Sequence, residues 1–343
     1  MRGGLLVSIQ VVIGIHAGVQ EGLASAYNKS LLFYQGDGGD GSVDYVRFII
    51  NKSLPYTVKG LAQFHDREPP HKTDLVFQHA SIDQIIANFN NTLVSNCPIR
   101  WFKRNTCIVK STYSDVHVFE DKLVDAVAVV LANNKQKKIV VSYRATITTQ
   151  NWLDDLNAAL IDLPGAPVGA RVHRGVFINY LASYTNVNSI VTRMLDDPRF
   201  KDYSVLVTGY SLGGAVATMA LPTIATLVQT HSDPRTIELI SYAAPRMANA
   251  EYAKYLASFN VPVTRVTLAY DAVSHLPLRK MGYTHAGVEI HVDQPSLTGN
   301  YSLRLCSQEY DEDPSCAWAE NSELNGVRHG TPFGTFLPRP PYS

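Results

Sequence analysis

The sequence has no excess of charge of either sign, because its 343 residues include 30 lysines and arginines against 30 aspartates and glutamates. No basic cluster stands out against that balance, so nucleic acid is not expected as a partner. The sequence also lacks internal repeats and low-complexity tracts. With 45% hydrophobic and 17% charged residues, the composition is that of a globular protein with a sizeable core.

Long hydrophobic runs are scarce as well. The mostly apolar stretch Leu5–Ile15 is shorter than the ~20 residues that span a bilayer. It follows the basic Arg2 and precedes an A-x-A cleavage pattern at Ala24-Ser25-Ala26, which predicts a signal peptide over residues 1–26 rather than a short anchor. No later segment is expected to be long and apolar enough to span a membrane. We therefore predict a secreted, extracellular chain without stable transmembrane insertion.

Cysteine is limited to four residues, which are Cys97, Cys107, Cys306 and Cys316. Three disulfide connectivities are possible, and the local one, which joins the residues of each close pair, is favoured because short loops close readily. A metal site is disfavoured because C-x-x-C spacing is missing and oxidation is expected outside the cell. Export also agrees with four glycosylation sequons, at Asn28, Asn51, Asn90 and Asn300.

Apolar runs typical of strands alternate with helical patterns through the middle of the chain. The predicted strands are 115–119, 126–131, 138–143, 204–208, 238–243 and 263–269, and the predicted helices are 176–195, 211–228 and 249–258. This alternation predicts an α/β fold with a central, mostly parallel sheet flanked by helices. We expect an N-terminal extension over residues 27–75 and a single domain over residues 76–343.

The segment Gly209-Tyr210-Ser211-Leu212-Gly213 lies between a predicted buried strand and a predicted helix. A G-x-S-x-G sequence in that context predicts a nucleophile elbow, a sharp turn that projects the serine hydroxyl from the sheet edge. A serine hydroxyl needs a base to take its proton and a carboxylate to orient that base. Ser211 is therefore the candidate nucleophile.

The partners of Ser211 should follow later strands, in the order acid and then histidine. Asp271 comes two residues after the strand 263–269 and is the candidate acid, whereas Asp233 lies in a turn and is expected to be structural. His329 lies in a glycine-flanked loop and is the candidate base. His275 is expected to be too close to Asp271 to fold back, and His285 and His291 flank a strand where structural histidines are common.

Several ordered motifs resemble those of the fungal class 3 lipases, over roughly two thirds of the chain from about residue 115 onwards. They are Tyr143-Arg144-Ala145-Thr146, Asn151-Trp152-Leu153-Asp154-Asp155-Leu156, Val172-His173-Arg174-Gly175-Val176, Gly209–Gly214, the Asp271 loop followed by Gly282–Glu289, and His329. The resemblance implies an α/β-hydrolase fold with a short helical lid. It also implies that Ser211, Asp271 and His329 form a catalytic triad, the assignment reached from spacing.

The resemblance assigns further roles. Leu212 and Thr146 would donate to an oxyanion hole, where losing one donor typically costs about 3 kcal/mol of barrier. The segment from Thr148 to Leu160 would be the lid, with Trp152, Leu153, Leu156 and Leu160 on one apolar helical face. A helix that simply packs in the core has the same pattern. His285 would keep a structural role, and Cys306–Cys316 resembles a disulfide of yeast members.

Two positions depart from the family pattern. Ala145 stands where a glycine usually precedes the oxyanion residue, and its methyl group disfavours positive φ. If a positive φ is needed there, Thr146 would be displaced. Tyr210 stands where histidine is common before the nucleophile.

The function predicted from these features is hydrolysis of acylglycerol esters at an oil–water interface, through an acyl-enzyme and without a cofactor or metal. An esterase or phospholipase with the same machinery is the alternative from the same chemistry. A third hypothesis is a secreted lipid-binding relative with weak or no catalysis, and it is motivated by the departure at Ala145.

Overall fold

The computed structural model describes the core of the chain, namely residues 88–89, 91–92, 94–96, 112–144, 160–292, 303–307, 312–317 and 329. The predicted signal peptide and N-terminal extension lie outside the described residues, as do the four sequon asparagines. The domain boundaries therefore stay predictions.

A central sheet of eight strands organises the described residues. In their spatial order the strands are β1 (Tyr113–Asp121), β2 (Ala126–Asn133), β3 (Lys138–Tyr143), β6 (Ser204–Tyr210), β7 (Ile237–Tyr242), β8 (Val263–Leu268), β9 (Val288–Val292) and β10 (Leu303–Leu305). A separate antiparallel pair consists of β4 (Leu160–Asp162) and β5 (Arg171–His173). The four neighbouring pairs from β3 to β9 are parallel, and the three outer pairs are antiparallel. The predicted α/β architecture is confirmed.

The sheet is covered on both faces, which explains why its central strands are continuous apolar runs rather than alternating ones. All eight residues of β2 are buried. One face, with Val130 and Val207, packs in a core with the helices. The other face, with Val129 and Leu206, packs in a second cluster that includes Phe89.

Three α-helices are described over their full length, namely α1 (Arg174–Asp196), α2 (Leu212–Gln229) and α3 (Ala250–Ala257). His173 caps α1, because its Nδ1 accepts a hydrogen bond from the Gly175 N–H at 3.1 Å. Asn249 caps α3 in the same way by accepting from the Tyr252 N–H at 3.1 Å. The helices therefore begin where a side chain satisfies a backbone donor.

Helix α2 is the central packing element. Among the described residues it alone is long and apolar enough to cross a membrane, with a mean hydropathy of 1.4 over 18 residues, and 89% of it is buried. The expectation that no segment after the leader would reach that length and hydropathy was therefore wrong. A core helix enclosed by protein needs apolar residues on every side, which explains its composition.

Pro222 lies inside α2 and removes one backbone donor from the helix. The carbonyl left without that donor belongs to Thr218, four residues earlier. The Tyr252 hydroxyl of α3 donates to this carbonyl at 3.0 Å. The proline is therefore tolerated because a neighbouring helix supplies the missing hydrogen bond.

The short elements were not predicted. Strands β4, β5 and β10 have three residues each, too few for a hydrophobic period to be recognised. Leu160 was expected at the end of the lid helix. It is instead the first residue of β4, where it pairs with His173 of β5.

Candidate active site

Ser211 lies at the carboxyl end of β6, immediately before α2. Its backbone has φ 55° and ψ −129°, a combination that is costly for a residue with a side chain. The Ser211 N–H donates to the Tyr242 carbonyl at 2.9 Å, and its own carbonyl accepts from Gly214 at 2.9 Å. These hydrogen bonds hold the strained turn between β6 and α2.

Two glycines allow this turn to form. A Cβ atom at Gly209 would lie 2.1 Å from the Gly213 carbonyl oxygen, and one at Gly213 would lie 2.1 Å from the Tyr143 carbonyl oxygen. Neither distance is possible for non-bonded atoms. The glycines of the G-x-S-x-G motif are thus required by close backbone approach.

The structure brings Ser211, Asp271 and His329 together. The Nε2 atom of His329 lies 2.7 Å from Ser211 Oγ, and its Nδ1 lies 2.9 Å and 3.1 Å from the two carboxylate oxygens of Asp271. All three side chains are buried. This geometry suits proton transfer from a hydroxyl to an imidazole whose other nitrogen donates to a carboxylate.

Asp271 follows β8 and occupies a tight turn. Its Oδ1 accepts from the Val273 N–H at 2.9 Å, and its carbonyl accepts from His275 Nδ1 at 2.7 Å. Tyr270, directly before it, has φ 65°. The orientation of the carboxylate is therefore fixed by the turn as well as by His329.

Tyr210 contacts His329, the histidine that lies against Ser211. This contact was not predicted from the sequence. Its hydroxyl donates to the His329 carbonyl, and the two rings lie 5.1 Å apart. Burial and then the charge of Asp271 raise the pKa of Tyr210 well above its ordinary value. The phenol therefore remains a donor, and its position beside Ser211 in the sequence was the available signal.

The other candidate histidines hydrogen-bond elsewhere. His275 does fold back towards Asp271, contrary to expectation, but onto its backbone carbonyl. His285 Nε2 lies 2.9 Å from the Ser274 carbonyl, and His291 Nδ1 lies 2.9 Å from Thr267 Oγ1. Burial and then the charge of Arg265 lower the pKa of His285 to about 3.

The oxyanion and lid predictions are only partly covered by the described residues. Leu212 is the first residue of α2 and directly follows Ser211, so its backbone N–H has no acceptor within the helix. Ala145, Thr146 and the lid residues Trp152, Leu153 and Leu156 lie outside the described residues.

Cys306 and Cys316 form a disulfide with an S–S distance of 2.06 Å, whereas Cys97 and Cys107 lie outside the described residues. Within the part of the chain that is described, one group of possible metal ligands occurs, formed by Glu289 and these two sulfurs. Because the sulfurs are bonded to each other, they are not available as thiolate ligands.

Comparison with known protein families agrees with the fold. The family model for lipase (class 3) matches residues 140–281. In solved structures, the native propeptide complex of Rhizomucor miehei lipase superposes with a TM-score of 0.65 and 21% identity, covering 81% of this chain and 93% of that one. At this identity the likeness establishes the α/β-hydrolase fold.

Two of the curated relatives that the chain matches are named as lipases. A lipase of Rhizomucor miehei is 32% identical over 194 residues, which are 55% of this chain and 50% of the relative. The secreted mono- and diacylglycerol lipase 1 of Fusarium solani is 27% identical over 268 residues, covering 75% of this chain and 71% of the relative. The chain spans about half the length of the first curated relatives it matches. Over residues 140–281 the chain matches the class 3 lipase family model, and its fold and its elbow agree with that similarity.

Proposed function

We propose that the protein is a serine hydrolase that cleaves the carboxylic ester bonds of acylglycerols. The observation that carries this proposal is the continuous hydrogen-bonded chain from Ser211 Oγ through His329 to Asp271, at 2.7 Å and 2.9 Å. A buried serine, histidine and aspartate in this order are the groups needed for acyl transfer.

The reaction follows from the geometry. Ser211 Oγ attacks the ester carbonyl carbon while its proton moves to His329 Nε2, and Asp271 stabilises the imidazolium. The tetrahedral oxygen takes up the negative charge near the Leu212 N–H and, in our proposal, the Thr146 N–H and hydroxyl. Collapse breaks the ester bond, and His329 returns the proton to the departing alcohol. Water then attacks the acyl-enzyme with His329 as base, which releases the carboxylic acid and restores Ser211.

We further propose that the segment 148–159 is a lid that exposes Trp152, Leu153 and Leu156 to lipid at an oil–water interface. An amphipathic helix can bury its apolar face in such an interface. Export is proposed on the predicted signal peptide, the sequons and the disulfide. The Fusarium solani relative is named as a secreted lipase, which supports an extracellular location.

The decisive experiment compares wild type with Ser211→Ala. We expect the variant to lose hydrolysis of triolein and labelling by a fluorophosphonate, while keeping its circular dichroism spectrum and thermal transition. Thr218→Ser, a change on the same helix away from the hydroxyl of Ser211, is the control and should keep activity. Hydrolysis retained by folded Ser211→Ala would overturn the proposal.

Substrate class is tested with dissolved tributyrin, emulsified tributyrin, emulsified triolein, phosphatidylcholine and methyl ferulate. Preference for triolein supports the lipase proposal, whereas preference for phosphatidylcholine or methyl ferulate would replace it with a phospholipase or esterase. Leu153→Asp should lower the rate on triolein more than the rate on dissolved tributyrin if this segment is a lid. A folded wild-type protein that is not labelled at Ser211 would favour the non-enzymatic lipid-binding reading.

A further inference from the structure

Arg246 lies close to the turn that carries Asp271, although its position in the sequence gave no sign of it. It follows β7 and is buried. Its backbone N–H donates to the Leu276 carbonyl at 2.8 Å. Its guanidinium donates to the carbonyls of His275 and, at 3.1 Å, of Pro277. One arginine thus holds the three successive carbonyl groups at the end of the 271–277 turn.

Glu312 holds the guanidinium from the other side. Its two carboxylate oxygens accept from Arg246 Nε at 2.9 Å and 3.1 Å, and Oε2 accepts from Nη2 at 2.6 Å. It also accepts from Thr284 Oγ1 at 3.2 Å and from the His285 N–H at 2.9 Å. Every contact is buried, so the arginine has little freedom to move.

The carboxylate is ionised despite its burial. Burial raises the pKa of Glu312, but the interactions with His285 and with Arg246 outweigh it and hold the pKa well below its ordinary value. The loop that carries Glu312 is closed by the Cys306–Cys316 disulfide. A buried pair of this kind leaves an uncompensated charge when one partner is removed, which makes its geometry costly to disturb.

We propose that Arg246 and Glu312 are positioning residues that hold the 271–277 turn so that the Asp271 carboxylate faces His329 Nδ1. This inference rests on the proposed function of the triad. Asp271, Val273 and His275 form one hydrogen-bonded unit, and Arg246 fixes its downstream end. Neither positioning residue contacts the reacting atoms.

The protein contains a matched control. Arg265 of β8 and Glu289 of β9 form a second buried ion pair, with Nη2 and Oε2 2.8 Å apart. Glu289 accepts from Thr267 Oγ1 at 2.6 Å and from the Ala317 N–H at 2.9 Å. In the described part of the chain this pair makes no hydrogen bond to residues 271–277. It is a buried pair of the same residue types without a hydrogen bond to the turn, although the charge of Arg265 also lowers the pKa of Glu312.

The experiment compares Glu312→Gln and Arg246→Lys with Glu289→Gln and Arg265→Lys in the full chain. The rate of fluorophosphonate labelling at Ser211 and kcat for tributyrin are measured against pH, well below each melting temperature. All four variants should melt earlier than wild type. Only the Arg246 and Glu312 variants should also lose tenfold or more of the limiting labelling rate and shift the pH midpoint of labelling. Their KM should change little.

Equal kinetic effects in both pairs, or melting changes alone in Glu312→Gln, would overturn the inference while leaving the proposed function intact. A wild-type protein that is folded but not labelled would overturn both. If Glu312→Gln does not accumulate as folded protein, Thr284→Val and Thr267→Val repeat the comparison, because each removes one hydroxyl from its own glutamate. Thr284→Val should then slow labelling severalfold and Thr267→Val should not, and the reverse order counts against the inference.

Discussion

The serine side and the histidine side of the site are held in place by different kinds of contact. Ser211 is held by neighbours in the sequence and by adjacent parallel strands, through the 2.9 Å hydrogen bonds to Tyr242 and Gly214. His329 lies 118 residues later and is held by contacts that join distant segments. They come from Tyr210 and Asp271.

The position of Ser211 therefore depends on contacts that are local in the sequence, whereas the position of His329 depends on long-range contacts. The elbow follows from backbone sterics over five residues, so one added methyl group should destroy it. The histidine side depends on several side-chain contacts, among which a hydrogen bond between neutral groups contributes about 1 kcal/mol. Losing such a bond should weaken the site without abolishing it, whereas losing the carboxylate that stabilises the imidazolium should cost far more.

The largest effect is expected for Gly213→Ala, which tests the local side. The new Cβ would lie 2.1 Å from the Tyr143 carbonyl oxygen, so backbone must move. We expect hydrolysis and labelling to be lost and the free energy of unfolding to fall by more than about 4 kcal/mol. Gly175→Ala is the control, since its nearest neighbour is a side-chain atom of His173 at 3.2 Å. Near-normal activity of Gly213→Ala would refute the steric argument.

Asp271→Asn tests the long-range side at its most important contact. The amide can keep the hydrogen bond from Val273 but cannot stabilise an imidazolium, so kcat for tributyrin should fall by roughly 10³–10⁴-fold with little change in melting temperature. Asp233→Asn, at the other aspartate considered, should retain full activity. A fall of less than tenfold for Asp271→Asn would remove Asp271 from the triad.

Acid should destabilise the region around His285. Its pKa is lowered from 6.5 to about 3 by burial, so the unfolded chain binds the additional proton. Stability from this group is complete above pH 6.5 and is lost as the pH falls towards 3. His285→Gln should reduce the slope of unfolding free energy against pH by up to about 1.4 kcal/mol per pH unit. Urea unfolding at pH 5, 6 and 7 measures that slope, and an unchanged slope contradicts the prediction.

The smallest effect is expected for Tyr210→Phe, which removes only the hydroxyl donated to the His329 carbonyl. We expect a loss of about 1 kcal/mol in stability and a severalfold fall in kcat. Tyr252→Phe removes an equally buried hydroxyl that donates to the Thr218 carbonyl, so it should cost similar stability without changing kcat. Identical kinetics of the two variants would show that Tyr210 serves stability alone.

Much of the fold could be predicted because its core elements are long and strongly patterned. Strand β3 has the predicted bounds, and α1 differs from its prediction by two residues at its start and one at its end. Apolar continuity and strand–helix alternation carry that information. Strand β10 and the β4–β5 pair were missed because three residues contain no period.

The site was less evenly predictable. The spacing suggested Ser211, Asp271 and His329, and the structure brings these side chains into contact. Arg246 and Tyr210 were missed as contacts of the site because the groups of the site that they contact are carbonyl oxygens, which every residue has and no sequence pattern reveals. His275 was misjudged for a related reason, since a main-chain acceptor allowed it to fold back within four residues.

The separation of Ser211 and His329 has a consequence for biosynthesis. A ribosome-bound chain that has emerged through the elbow but has not yet reached residue 329 carries a serine without its base. On the proposed mechanism, such an unfinished chain cannot attack lipid esters in the membranes of the cell that makes it. Activity begins only after synthesis has passed residue 329 and the distant segments have come together.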